Sequence, residues 1–101
     1  MPKAIFYCAY KLKEGANVDE FLKASEKLNR EHISKQNGYV SWQQLRDGDL
    51  WVDMCVFESM DDVKEFEAKS ENPCQVALDF YSYINLNSCK VNHFVLEREY
   101  L

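Results

Sequence analysis

"YVSWQQLRDGDLWVDMCVF", residues 39–57, holds two aromatic and β-branched runs joined by Arg46-Asp47-Gly48-Asp49. Asp-Gly between such runs is the strongest short-range hairpin signal, because glycine accepts the positive φ of a tight turn between twisted strands. The stretch reads as two antiparallel strands, 39–45 and 50–57. In the second strand Leu50, Val52, Met54 and Val56 fall on one face, and Trp51, Asp53, Cys55 and Phe57 on the other. Both faces are apolar except for one carboxylate, Asp53.

Outward from the hairpin, residues 3–13 ("KAIFYCAYKLK") are a further short, aromatic, strand-like run ending at Glu14-Gly15. Asn17 with Glu20 three residues later opens a helix, which runs to about Gln36 and stops at Asn37-Gly38. Beyond the hairpin, Ser59 with Asp62 opens a second helix. Asn72-Pro73 breaks it, and Pro73 suits the first position of a third. The third helix carries Val76, Phe80, Tyr83 and Ile84 on one stripe and ends near "NLNS". Residues 89–99 form the last strand.

The order β-α-β-β-α(α)-β is the ferredoxin-like α+β pattern, a single domain over residues 1–101. It predicts a four-stranded antiparallel sheet in the order 4-1-3-2. The first and third strands are expected at its centre, parallel to each other and joined by a right-handed crossover. Helices on one side leave the other sheet face in water, yet both faces of both central strands are apolar. A second copy of the same sheet is the expected cover, which makes the chain a homodimer with sheet facing sheet.

Composition bounds the function. The net charge of -5 offers no basic face for nucleic acid, and the cationic residues are scattered among acids. No apolar run approaches the roughly 20 residues of a membrane span, and the start has no signal-peptide cleavage pattern. A cytoplasmic protein is expected, with no membrane partner. Cys8, Cys55, Cys74 and Cys89 form no C-x-x-C pair, so they read as reduced thiols, with no metal and no cofactor implied.

The candidate site comes from polar residues in apolar places. Val18, Phe21, Leu22 and Leu28 mark the inward arc of the first helix, with Ile33 at its edge; Ser25, Asn29 and His32 fall on the same arc. Either these three line a cavity between helix and sheet, or Ser25 bonds back to its own helix while Asn29 and His32 sit at a wet margin. The mixed face of Trp51 and Asp53 matches that arc better than the aliphatic face does, which points Asp53 inward. A buried carboxylate must be hydrogen-bonded, paired or protonated. His93 in "VNHFVL" is its first expected partner and His32 its second, although two strand spacings, about 9.5 Å, separate Asp53 from His93 in this sheet order. A histidine beside a carboxylate can act as a general base near neutrality; a structural hydrogen bond is the plainer reading. Trp42, Trp51, Tyr7, Tyr39, Phe80, Tyr81 and Tyr83 can wall a pocket for a flat ligand or simply fill the core.

The chain resembles the dimeric α+β barrel superfamily, and within it the antibiotic biosynthesis monooxygenase-like proteins. The resemblance covers essentially the whole chain. It rests on "YKLKEGANVDEFLKASEKL", "NGYVSWQQLRDGDLWVDMCVFESMDDV" and "ENPCQVALDF" before "VNHF". "WVD" followed by an aromatic-"ES" turn into a helix is similar to a run in uncharacterised bacterial members. The resemblance implies a dimeric α+β barrel and a cofactor-independent, monooxygenase-like enzyme acting on a small flat aromatic or quinol-type molecule. No complete catalytic set carries over from the family; on the reading of the residues above, Asp53 and His93 would be the acid/base pair of such an enzyme, and Trp51, Ser25, Asn29 and His32 would be its ligand-binding residues. The haem-degrading branch carries an Asn on the first strand, and "AIFYCAY" has none. The alternative is a non-catalytic small-molecule-binding or stress-related dimer.

Overall fold

A computed structural model describes residues 2–101. Four strands, β1 (Ala4–Leu12), β2 (Tyr39–Asp47), β3 (Leu50–Phe57) and β4 (Ile84–Val95), form one sheet in the order β2-β3-β1-β4. Helices α1 (Val18–Glu31), α2 (Met60–Ala68) and α3 (Gln75–Tyr81) complete the ferredoxin-like α+β fold.

The sheet order is the expected one, but β1 and β3 run antiparallel rather than parallel. The helix α1 returns the chain so that β2 runs in the direction of β1. The hairpin then reverses it, so β3 opposes β1. Every neighbouring pair in the sheet is therefore antiparallel. Gly48 sits in the hairpin turn at φ 61°, the left-handed conformation that glycine adopts without strain.

Both helix starts follow their caps. Asn17 Oδ1 accepts the Glu20 N–H at 3.0 Å, and Ser59 Oγ accepts the Asp62 N–H at 3.2 Å. The ends differ from expectation. Helix α1 stops at Glu31, because His32 leaves helical geometry (φ −136°), and a 3₁₀ turn at Ile33–Lys35 follows. The Gln36 side chain donates to the freed His32 carbonyl at 2.9 Å. Pro73 lies two residues before α3, whose cap position is Cys74.

The last helix is also shorter than its apolar stripe. Ile84 opens β4 and pairs with Leu12, and Tyr83 lies in the turn before it, where its carbonyl accepts the Lys13 N–H at 2.8 Å. β4 thus begins well before residue 89 and ends at Val95. Its register jumps between the Lys11–Asn85 and Ala9–Lys90 pairs. Ser88 closes the resulting bulge, accepting the Lys11 N–H at 2.8 Å and donating to the Asn85 carbonyl at 2.6 Å.

The core lies between the sheet and the helices. Phe21 of α1 packs edge-on against Trp51 and tilted against Phe80, each at 5.2 Å between ring centres. Phe21, Phe57 and Val63 are wholly buried, whereas Leu22, expected to face inward, is exposed. On β3 the mixed face is the one under the helices: Trp51, Asp53, Cys55 and Phe57 are all buried. Val52, Met54 and Val56 lie on the opposite face, half-buried, beside Ile5, Tyr7 and Ala9. Among the described residues no helix is long and apolar enough to cross a membrane.

Candidate functional site

A cavity of about 230 Å³ lies between the helix-facing side of the sheet and α1, α2 and α3. The sheet supplies its floor: Cys8 and Tyr10 from β1, Trp42 from β2, Asp53 and Cys55 from β3. Phe80 and Tyr81 of α3 form an aromatic wall. The bulge of β4 brings Leu86 and Cys89 to another side. His32, Glu67 and Lys69 are the charged or ionisable groups from the helical side. The chamber is therefore mostly apolar, with one carboxyl in its floor.

Asp53 is 7% exposed. Its Oδ1 accepts a hydrogen bond from Tyr10 Oη at 2.9 Å. Burial opposes the charged form and is the largest influence, while Tyr10, Trp42 and Gln44 favour the carboxylate; the balance raises the Asp53 pKa to about 7. The Tyr10 phenol is itself pushed far up, by burial first and then by the Asp53 charge and hydrogen bond. In that pair Tyr10 remains the donor and Asp53 is the group that titrates.

The polar contacts continue from there to α1. Gln44, opposite Asp53 in the β2–β3 register, donates from Nε2 to Ser25 Oγ at 3.0 Å. Ser25 donates to the Phe21 carbonyl of its own helix at 2.9 Å. The Trp42 indole N–H stands apart. Nε1 is buried and has no hydrogen-bond partner among the described residues.

Three cysteines line the cavity. Burial and the neighbouring Cys89 and Asp53 push the Cys8 thiol up to about 12. Burial, then Asp53 and Cys8, raise Cys55 further. Such thiols stay protonated at neutral pH and act as small apolar surface rather than nucleophiles. Among the described residues no group of three or more His, Cys, Asp or Glu is arranged to hold a metal ion.

The residues singled out in the sequence divide. Asp53 and His32 line the cavity. His32 is a half-buried rim residue whose pKa is lowered, by burial first and then by Lys69. Ser25 bonds back to α1, and Asn29 accepts from Tyr39 Oη at 3.1 Å, so both are structural partners outside the cavity wall. Trp51 packs in the core on Phe21 with the Arg46 guanidinium 5.1 Å from its ring centre. The expected Asp53–His93 hydrogen bond does not form. Cys8 is opposite Asp53 and Phe6 is opposite His93, so β1 stands between the two; His93 Nε2 instead lies 2.8 Å from Glu67 Oε2 of α2. Nor does His32 reach Asp53, whose partner is Tyr10.

Tyr10 and Gln44 are the site residues that sequence reasoning missed, whereas Trp42, Phe80 and Tyr81, named as aromatics able to wall a pocket, do line the cavity. The register supplies the signal for them. Cys8 faces Asp53 and Tyr10 faces Trp51, so Tyr10 is a diagonal cross-strand neighbour of Asp53 on the same face.

No protein-family model matches the sequence, and no curated protein matches it. Solved structures do match. SnoaB, a cofactor-independent oxygenase from Streptomyces nogalater, superposes with a TM-score of 0.76 at 15% identity, over 100% of this chain and 98% of that one. A conserved protein from Methanosarcina mazei Go1 gives a TM-score of 0.71 at 10% identity, covering 94% and 93% of the two chains. A dimeric ferredoxin-like protein from an uncultured marine organism gives 0.70 at 9% identity, covering 100% and 93%. At such identities the likeness is one of fold, and the chain shares the ferredoxin-like fold of all three.

Proposed function

We propose that this chain is a cofactor-independent, monooxygenase-like enzyme that uses Asp53 as a general base on a small flat phenolic or quinol-type molecule held in the cavity. The observation that carries the reading is Asp53 itself: a buried carboxyl with a pKa near 7, one oxygen held by Tyr10, with Trp42 and Gln44 beside it, in the floor of an apolar, aromatic-walled chamber. A base poised at the working pH is what proton abstraction requires. The fold of SnoaB, a cofactor-independent oxygenase, supports the same class of chemistry.

In this reaction Asp53 takes the acidic proton of the substrate, an O–H or an activated C–H, and leaves an electron-rich enolate or phenolate. That anion reduces molecular oxygen, the co-substrate. One oxygen atom enters the ring carbon as a carbonyl and the other leaves as water with the two hydrogens of the substrate. The dry, apolar surroundings raise the energy of the buried Asp53 charge and so strengthen it as a base. His32 at the rim contacts the ligand's outer end; His93, held by Glu67, is given no proton-transfer step.

The functional unit in this proposal is a homodimer through the open sheet face, where Ile5, Tyr7, Val52, Met54 and Phe94 form an apolar surface that a second copy covers. The dimeric ferredoxin-like protein of similar fold supports this assembly. The buried thiols of Cys8 and Cys55 agree with a reducing compartment such as the cytoplasm.

Oxygen uptake measured with a panel of hydroquinones and anthrones tests the reading. Turnover that disappears in Asp53→Asn, with the fold intact, is the expected result. Saturable binding without oxygen uptake by any member returns the non-catalytic, ligand-holding alternative.

A further inference from the structure

The cavity carries two thiols that the proposed reaction does not use and that touch each other. In the β1–β4 register Cys8 is opposite Val91, so Cys89 is the diagonal neighbour of Cys8 on the helix-facing side. Both line the cavity and both are half-buried. The Cys8 thiol donates a hydrogen bond to the Cys89 sulfur. Cys55, the third thiol of the chamber, lies diagonal to Cys8 on the other side, across β3.

Cys89 stands at the end of the β4 bulge. Between the Lys11–Asn85 and Ala9–Lys90 pairs the ladder is interrupted, and the Ser88 side chain ties the bulge to Lys11. β4 is also an edge strand, so this part of the cavity wall has a freedom that a central strand lacks. Diagonal strand neighbours stand slightly farther apart than a disulfide allows, and the bulge is where that distance can close.

We infer that Cys8 and Cys89 are an oxidisable pair that hydrogen peroxide closes to a cross-strand disulfide, drawing the β4 wall of the cavity toward β1. The Cys89 sulfur gives an electron pair to one peroxide oxygen, the O–O bond breaks, and a sulfenic acid and a water result. The Cys8 sulfur then displaces the hydroxyl of that sulfenic acid, the S–S bond forms, and a second water leaves. Each water carries one of the two thiol protons, and the peroxide takes both electrons. Leu86 lies on the same bulge, so the side of the cavity it forms moves with Cys89. None of this requires Asp53 to act as a base.

Burial sets the tempo. It holds Cys8 protonated at neutral pH, so the second step runs slowly, through the small ionised fraction. The same burial makes the bond hard to reduce, because a thiol of high pKa is a poor leaving group. The pair therefore records sustained oxidation rather than a brief pulse.

The test uses Cys74→Ser, which removes the exposed thiol and leaves the three cavity thiols in place. The chain is incubated with hydrogen peroxide, unfolded, treated with iodoacetamide and digested with trypsin. The expected product has lost the mass of two hydrogens, keeps Cys55 as its one free thiol, and yields a single linked peptide pair, Cys8 with Cys89. Amide hydrogen exchange across residues 86–90 of the oxidised, folded chain should slow by about tenfold or more as the bulge is tied down. Cys89→Ser in the same background should show neither change. The peptide map of the Cys74→Ser chain identifies the pairing by itself, so a Cys89→Ser chain that fails to fold leaves the test intact. A Cys8–Cys55 link, a link between two chains, or Cys89 oxidised to sulfinic acid beside a free Cys8 overturns the pair. A Cys8–Cys89 link with unchanged exchange across residues 86–90 overturns the movement of the wall.

Discussion

Tyr10 Oη donates to Asp53 Oδ1 at 2.9 Å across two adjacent antiparallel strands, and both side chains are buried under the helices. The hydrogen bond reduces but does not cancel the penalty of burying the carboxylate, and Asp53 titrates near pH 7 rather than at its ordinary 3.8. Its folded-state pKa is thus above its unfolded value. Between about pH 4 and pH 7 the folded chain holds a proton that the unfolded chain has lost, so stability falls as pH rises through this window and levels off above it.

Asp53→Asn should remove that loss. The amide keeps an acceptor for Tyr10 and has no charge to bury. At pH 5 the variant should be no more stable than the parent. At pH 8 it should be more stable, by up to roughly 4 kcal/mol from a shift of about three units, an upper figure that structural relaxation reduces. Urea unfolding at the two pH values reads the difference. A variant that loses stability at pH 8 would show that the ionised carboxylate is a net stabilising group.

Tyr10→Phe removes the donor and leaves the ring. Asp53 then loses the strongest of the hydrogen bonds that favour its charged form, so its pKa should move further up. Because the carboxylate loses its partner, the variant should lose about 1–3 kcal/mol at pH 8 and less at pH 5, where Asp53 is protonated in either protein. Titration of the Asp53 carboxyl carbon by NMR checks the direction. An unchanged midpoint would mean that Tyr10 has no hold on the carboxylate in solution.

Much of this fold was legible because several local signals agreed. Asp47-Gly48 fixed the hairpin, Asn17 and Ser59 fixed two helix starts, and the alternation along residues 50–57 placed Asp53 on the covered face. The end of α3 was not legible. Tyr83 and Ile84 continue a helical stripe from Val76 and Phe80, yet Ile84 also suits a strand, and its pairing with Leu12 of β1 decided between the two and left Tyr83 in the turn. Within the site, the chain advertised Asp53 but not its partner. His93 drew attention as the ionisable residue in an apolar strand, while Tyr10 looked like one more aromatic. Only the register between β1 and β3, which no hairpin sets, brings Tyr10 beside Asp53.

The cysteines should separate by access. Cys74 is exposed, Cys8 and Cys89 are half-buried, and Cys55 is buried. With burial pushing Cys8 up to about 12 and Cys55 higher, few of their thiols ionise at pH 8. A maleimide pulse on the native protein followed by mass spectrometry should label Cys74 first and Cys55 last. Rapid labelling of Cys55 would show that the cavity floor opens to solvent on the timescale of the pulse.

Gly38 should resist substitution for two reasons that act together. Its φ is 75°, and a Cβ there would run into the Asp62 carboxylate at the start of α2. That carboxylate accepts from Ser59 Oγ at 2.9 Å, so moving it disturbs the helix cap. Gly38→Ala should lose about 1–3 kcal/mol by denaturant unfolding, more than Gly15→Ala, where φ is 77° but nothing lies within 4 Å of the added carbon. Equal losses would mean that the backbone conformation alone matters and that Asp62 yields freely.

The open face of the sheet carries the last prediction. Val52 and Met54 of β3 lie there next to Ile5, Tyr7 and Ala9 of β1, and Phe94 packs edge-on against Tyr7 at 5.6 Å between ring centres. Phe94 is exposed and the others half-buried in the single chain, and together they make a continuous apolar surface, which a monomer would leave in water. If a second copy covers it, Val52→Asp puts an unpaired charge at the centre of a dry contact on both sides of the symmetry axis. A buried, unpaired carboxylate is far more costly than the lost valine, so the dimer should dissociate. Asp53 and the cavity lie on the opposite face of the same strand, so the monomer should keep its hydrogen bond to Tyr10. Sedimentation of the parent at micromolar concentration should give twice the chain mass, and that of Val52→Asp the single mass. A parent that sediments at the single mass would remove the dimer, and the exposed apolar face would then need another partner.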